Sequence, residues 1–219
     1  ALQTDKLAIE RIKKDKEIPY MIDPSAGSGT FLIEYMKFIT KNMKYRNRNT
    51  DGYNSELGTA RAVKDKVLSD WFYPDHRENK WAQTFIYGSE INFNLGTATK
   101  VNMILHGDGS TNIFVKDGLL PFDKYEKASS HNVMHDSHKD DLYDNREANE
   151  RFDLILTNPP FSVELDNDTK KTVKKEFMFG DKKNSENLFI ERWYQLLREN
   201  GNFMDRLTRR KHKFVDSLP

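Results

Sequence analysis

Pro19-Tyr20-Met21-Ile22-Asp23-Pro24-Ser25-Ala26-Gly27-Ser28-Gly29-Thr30-Phe31 is the stretch that decides the fold. A short β-like run, Pro19 to Asp23, meets a turn of small residues. An amphipathic stretch follows at once, with Leu32, Tyr35, Met36, Ile39 and Met43 at helical spacing. Strand, tight turn and helix form the opening unit of an α/β fold with a parallel sheet. Such a turn lies at the carboxyl ends of the strands, where open α/β sheets bind ligands. Gly27 and Gly29 match the first two glycines of G-x-G-x-x-G, but Leu32 takes the place of the third, and no Gly-Lys-Ser/Thr ending follows. The turn is therefore read as a close approach of backbone to a ligand, with serine hydroxyls beside it, and not as a phosphate grip.

The alternation continues outward from this unit. Glu56 to Trp71 reads as a helix through Ala60, Val63, Val67, Leu68 and Trp71. Thr84 to Glu90 reads as the second strand, followed by a helix with Leu95, Ala98, Val101 and Leu105 on its apolar face. Asn112 to Val115 is a short third strand. Phe152 to Leu156, the most apolar candidate, is expected at the centre of the sheet. Ser185 offers an N-cap for a helix reaching Asn200, with Gly201 as its stop. Between Asp123 and Glu150 charges crowd without periodicity, which marks an insertion at about 121–150.

The chemistry gathers at the predicted strand ends. Glu90 ends the second strand, where a carboxylate can accept hydrogen bonds from both hydroxyls of a ribose. Asp117 follows the third strand and could accept the amino group of an adenine ring. Each acid alone reads as a solvated strand end; their shared placement favours the functional reading. The sharpest signal is Asn158-Pro159-Pro160-Phe161, which ends the fourth strand because neither proline can donate to a ladder. An exocyclic amine is a poor nucleophile, since its lone pair is delocalised into the ring. The Asn158 side-chain oxygen and the Pro159 carbonyl can each accept one N–H, holding the amine in the pyramidal geometry that attack needs. Phe161 can stack on the base, worth roughly 1–3 kcal/mol. His131, His135 and His138, with Asp136 and Asp140, have spacing that could meet on zinc. They lack an apolar second shell and read as surface residues, so no metal is expected.

Composition sets the bounds. A chain of 219 residues suits one domain with insertions. With 35 basic against 34 acidic residues, the net charge of +1 does not announce nucleic acid. Arg206, Arg209, Arg210, Lys211 and Lys213 form one basic cluster, read as a solvated tail. No apolar run approaches the roughly 20 residues that cross a bilayer. Ala1 to Lys16 is charged and has no signal-peptide core. The absence of cysteine excludes disulfides and thiolate metal sites and fits a cytoplasmic location.

The motif order resembles a known family. Asp-Pro-Ser-Ala-Gly-Ser-Gly-Thr-Phe-Leu, Gly-Ser-Glu-Ile-Asn, Lys-Asp-Gly-Leu and Thr-Asn-Pro-Pro-Phe-Ser follow one another as in the amino-methyltransferases that act on adenine N6 in DNA. Leu105 to Gly109 and Lys183 to Trp193 are similar to the modification subunit of type I restriction-modification systems. The likeness covers Tyr20 to about Phe203. It implies a Rossmann-like, S-adenosylmethionine-dependent methyltransferase sheet, here truncated at both ends. Asp23, Ser25, Gly27 and Gly29 would line the methionine end of the cofactor, with Thr30 in the same binding loop. Glu90 would hold the ribose, Ile91 would pack on the adenine and Asp117 would read its amino group. Asn158, Pro159, Pro160 and Phe161 would hold a target base flipped out of the duplex. DNA, a specificity subunit and a restriction subunit are the implied partners, and no membrane.

Two departures shape the expectations. The Phe-Thr-Pro segment usual upstream in the family is missing. Beyond Gly201-Asn202-Phe203, the run Met204 to Lys211 does not read as a strand. The catalytic core is thus placed at 1–203 and an atypical basic tail at 204–219. A fifth strand is expected to be absent, leaving Phe152 to Leu156 with a bare apolar edge. The chain alone is then expected to self-associate or need a partner and to methylate DNA little. Two other readings compete: a remnant that binds cofactor or a partner without turnover, and a protein-glutamine methyltransferase. The latter also uses Asn-Pro-Pro, but carries Tyr where this chain has Phe161 and lacks the Asn184 to Phe189 segment.

Overall fold

The computed structural model describes residues 11, 14, 17–40, 79, 81–107, 112–120, 151–161, 163–180 and 185–205. The helix read at Glu56 to Trp71, the three histidines of the insertion and the basic cluster lie outside the described residues. The elements are β1 (Met21–Asp23), α1 (Thr30–Thr40), α2 (Ala82–Phe85), β2 (Ile86–Ser89), α3 (Phe93–Leu105), β3 (Ile113–Phe114), β4 (Phe152–Thr157), α4 (Asn167–Glu176), α5 (Ser185–Leu196) and β5 (Leu197–Asp205).

The five strands form one parallel sheet in the order β3-β2-β1-β4-β5. This is the Rossmann-like α/β arrangement that the sequence predicts, with β1 beside β4 and Met21 opposite Leu154. Side chains alternate across the pleat. Met21, Ile86, Ile113 and Leu154 enter one core with Leu32, Tyr35, Met36 and Ile39 of α1, Trp81 and Phe85. Ile22, Tyr87, Phe114 and Ile155 enter the other, with Val173 of α4, Phe177, and Leu188, Phe189, Trp193 and Leu196 of α5. Full burial of each such side chain contributes on the order of 2 kcal/mol. The sheet is therefore sandwiched between two helical layers, and every β-to-α loop opens at one end.

Three expectations fail. The fifth strand exists: Leu154, Ile155, Leu156 and Thr157 of β4 pair with Asn202, Phe203, Met204 and Asp205 of β5. Strand pairing uses backbone groups, which a non-periodic stretch supplies as well as an alternating one, so composition concealed it. The bare edge, and the self-association argued from it, lose their premise. The helix expected to reach Asn200 ends at Leu196. The register then jumps between Phe152 and Leu154, so that Arg198 to Gly201 bulge out opposite a short step on β4. Arg198 fixes this bulge through a 2.8 Å ion pair with Asp153 Oδ1. Oδ2 of the same buried carboxylate accepts the Tyr20 N–H at 2.9 Å and lies 3.3 Å from Arg11 Nε.

The third failure is the facing of α3. Leu95, Val101 and Leu105, expected inward, are 43%, 50% and 75% exposed, and Ala98 is exposed as well. Gly96, Thr99 and Met103 face inward instead. A Cβ on Gly96 would stand 3.0 Å from Val115 Cγ2, so glycine gives the helix a close approach there. Thr99 faces in because its hydroxyl donates to the Gly27 carbonyl at 2.6 Å. The helix docks through small size and polar bonds, which apolar periodicity cannot report. Among the described residues no helix is long and apolar enough to cross a membrane.

Candidate functional site

The turn after β1 is built by its neighbours. Gly27 and Gly29 have φ of 55° and 81°, the left-handed region that favours glycine. A Cβ on Gly29 would stand 2.7 Å from Thr99 Cγ2, whereas one on Gly27 would meet nothing within 4 Å, so Gly27 borders open space. The backbone of the turn is tied down on several sides. Ala26 N–H donates to the Ser89 carbonyl at 2.8 Å, and Gly27 N–H donates to Glu90 Oε2 at 2.8 Å. The carbonyls of Gly27 and Ser28 accept from the Thr99 hydroxyl at 2.6 Å and Asn102 Nδ2 at 3.1 Å. The turn is therefore set before any ligand arrives. Thr30 is exposed at the start of α1, its hydroxyl 3.2 Å from that of Ser28.

Glu90 follows β2 and is 8% exposed. Its Oε1 accepts the Asn92 N–H at 2.8 Å, so each oxygen holds one backbone donor and keeps further acceptor capacity. Asn92 in turn caps α3, accepting the Leu95 N–H at 3.1 Å. Ile91 lies between them, 64% exposed.

Asp117 follows β3. Its Oδ1 accepts the Leu119 N–H at 3.0 Å, and the Thr169 hydroxyl of α4 lies 3.3 Å from Oδ2. Burial raises the Asp117 carboxyl above its ordinary range, against the pull of those two bonds. Arg192 of α5 supports the same loop, donating to the Leu119 carbonyl at 2.9 Å and stacking 4.6 Å from the centre of the Phe177 ring. Gly118 lies against the Pro24 carbonyl, where a Cβ would collide with backbone. The loops after β1 and β3 thus touch.

β4 delivers the fourth component. Asn158 and Pro160 are exposed, Pro159 is buried, and Phe161 is 51% exposed. Immediately before them Thr157 is buried, its hydroxyl donating to Asp23 Oδ1 at 2.7 Å and lying 2.7 Å from Ser25 Oγ. Asp23, 1% exposed, also accepts the Ser25 N–H at 3.0 Å. Burial pushes the Asp23 carboxyl up to about 7, opposed by the Thr157 and Ser25 bonds and reinforced by the nearby Glu90 charge.

The topology brings every site residue expected from the sequence to the carboxyl ends of β1, β2, β3 and β4. Asp23 is among the most deeply buried of them, at 1% exposed. Sequence reasoning missed Thr157, Thr99, Asn102, Thr169 and Arg192, which hold the loops. Thr157 carried a faint signal, as a hydroxyl closing an apolar strand. Asn92, directly before a helix, carried a plain one as an N-cap.

A family model described as N-6 DNA Methylase matches residues 3–204. Among solved structures the chain is similar to one titled "ATP-dependent Type ISP restriction-modification enzyme LlaBIII bound to DNA". Identity is 12% and the TM-score 0.46, over 90% of this chain and 14% of that chain's length. No curated protein matches the chain.

Proposed function

The chain belongs to the N-6 DNA Methylase family, and from that premise we propose that it forms the catalytic core of an adenine-N6 DNA methyltransferase. The observation that carries this reading is the exposed Asn158, followed by Pro159, Pro160 and Phe161, at the strand ends that also present Gly27, Glu90 and Asp117. The similarity of Lys183 to Trp193 to type I modification subunits supports a restriction-modification system, with a specificity subunit as partner.

The site fits S-adenosylmethionine. Gly27 borders open space, and Glu90 keeps acceptor capacity on both carboxylate oxygens beside it. Acceptors of this kind suit ribose hydroxyls and an amino group better than a phosphate. Glu90 would hold the ribose, Asp117 the adenine amino group, and Ile91 would cover the ring. When bound, the cofactor supplies an electrophilic methyl group. Asn158 and the Pro159 carbonyl would accept the two N–H bonds of the target amine, and Phe161 would stack on its ring. Holding two reactants in register supplies most of the acceleration in such a transfer.

Calorimetry with S-adenosylmethionine, followed by tritiated-methyl transfer from the whole complex to DNA and to a glutamine peptide, tests the reading. Binding with label in DNA supports it. Label in the peptide alone points to glutamine methylation, and binding without transfer points to a non-catalytic cofactor-binding chain.

A further inference from the structure

The ladder between β1 and β4 holds the pairs Met21–Leu154 and Ile22–Ile155; beyond them β1 stays in the sheet through Asp23–Gly88 and β4 through Thr157–Asp205, and then the glycine turn and the Asn158 turn begin. Beyond the last rung, one buried cluster still joins them. Thr157 has a single hydroxyl proton, and it goes to Asp23 Oδ1 at 2.7 Å. The 2.7 Å contact with Ser25 must then use the Ser25 proton, with the Thr157 oxygen accepting. Ser25 returns its own N–H to Asp23 Oδ1 at 3.0 Å, which closes the ring.

The cluster is held against a cost. Asp23 Oδ2 is buried without a partner, and a buried polar atom without a hydrogen bond is destabilising. A position needed only for packing would be filled at lower cost by an apolar side chain. What the cluster provides is a fixed separation between the turn that opens at Gly27 and the residue next to Asn158.

We infer that Thr157, acting through Asp23 and Ser25, is a positioning residue that locks the Asn158 turn against the glycine turn. The inference rests on the methyltransferase reading of this site. It assigns Thr157 no contact with a reactant; its effect falls on the alignment of the reacting groups. Displacement of about 1 Å in such an alignment costs on the order of 100-fold in rate.

The test compares Thr157→Val, which keeps the shape and removes the hydroxyl, with Thr157→Ser, which keeps the hydroxyl. In the whole complex, the valine variant is expected to lose roughly 10- to 100-fold in single-turnover methyl transfer, with S-adenosylmethionine affinity within about threefold of wild type. The serine variant is expected to recover most of that rate. A folded valine variant transferring at the wild-type rate overturns the inference, as does a serine variant no better than valine. Amide hydrogen exchange gives a reading independent of turnover. Amides of residues 25–29 should exchange at least about tenfold faster in Thr157→Val and not in Thr157→Ser. Unchanged exchange in the valine variant also overturns the inference. A wild-type complex that transfers no methyl group instead contradicts the proposed function, and the exchange experiment still decides the role of Thr157.

Discussion

Asp23 and Glu90 are buried acids at neighbouring strand ends with different partners. Glu90, 8% exposed, has each oxygen on a backbone N–H group, one of them that of Gly27. Asp23 is sealed in, and burial pushes its carboxyl from 3.8 up to about 7. The folded chain therefore keeps a proton on Asp23 that the unfolded chain has released. The resulting stabilisation is full below the unfolded value of 3.8 and is lost as pH rises toward about 7. The slope is at most about 1.4 kcal/mol per pH unit. Asp23→Asn removes this titration. The unfolding free energy of wild type minus that of the variant should then decline as pH rises through that window and level off above it. Asp117, also raised, is common to both proteins and cancels. A difference that stays flat in urea titrations across the window would mean that Asp23 is charged in the folded protein.

At the scale of elements, legibility followed the source of order. β1, β4 and α1 were readable because apolar period alone places them: Met21 and Ile22 on opposite faces, and Leu32, Tyr35, Met36 and Ile39 on one. α3 was found but turned the wrong way, because Thr99 and Gly96 dock it, and neither is apolar in the sense that periodicity counts. β5 was missed because its pairing is carried by backbone and its bulge by the Arg198–Asp153 ion pair. Asp153, inside an apolar strand, was the overlooked clue to that pairing. Its side chain is 3% exposed and meets Arg198, Arg11 and the Tyr20 N–H. Asp153→Ala leaves those donors without their acceptor and should destabilise the fold by about 3–5 kcal/mol in equilibrium unfolding. A loss below about 1 kcal/mol would show that β5 is held by its ladder alone.

At the scale of the whole molecule, the site is assembled from four loops far apart in sequence, around 23–30, 90, 117 and 157–161, and brought to one end by parallel order. The order of those motifs was legible because each carries its own chemistry in its side chains. The contacts that hold the loops in register were not, because Thr99 on Gly27, Arg192 on Leu119 and Gly118 on Pro24 join residues with no local signature. The central claim is that Asn158 acts on the target amine while a separate set of residues holds the cofactor. Asn158→Ala, assayed in the complete complex for N6-methyladenine formation and for S-adenosylmethionine affinity, tests it most directly. Methylation is predicted to fall by roughly 100- to 1,000-fold or more with cofactor affinity within about twofold of wild type; equal loss of both, or methylation retained, would contradict the account.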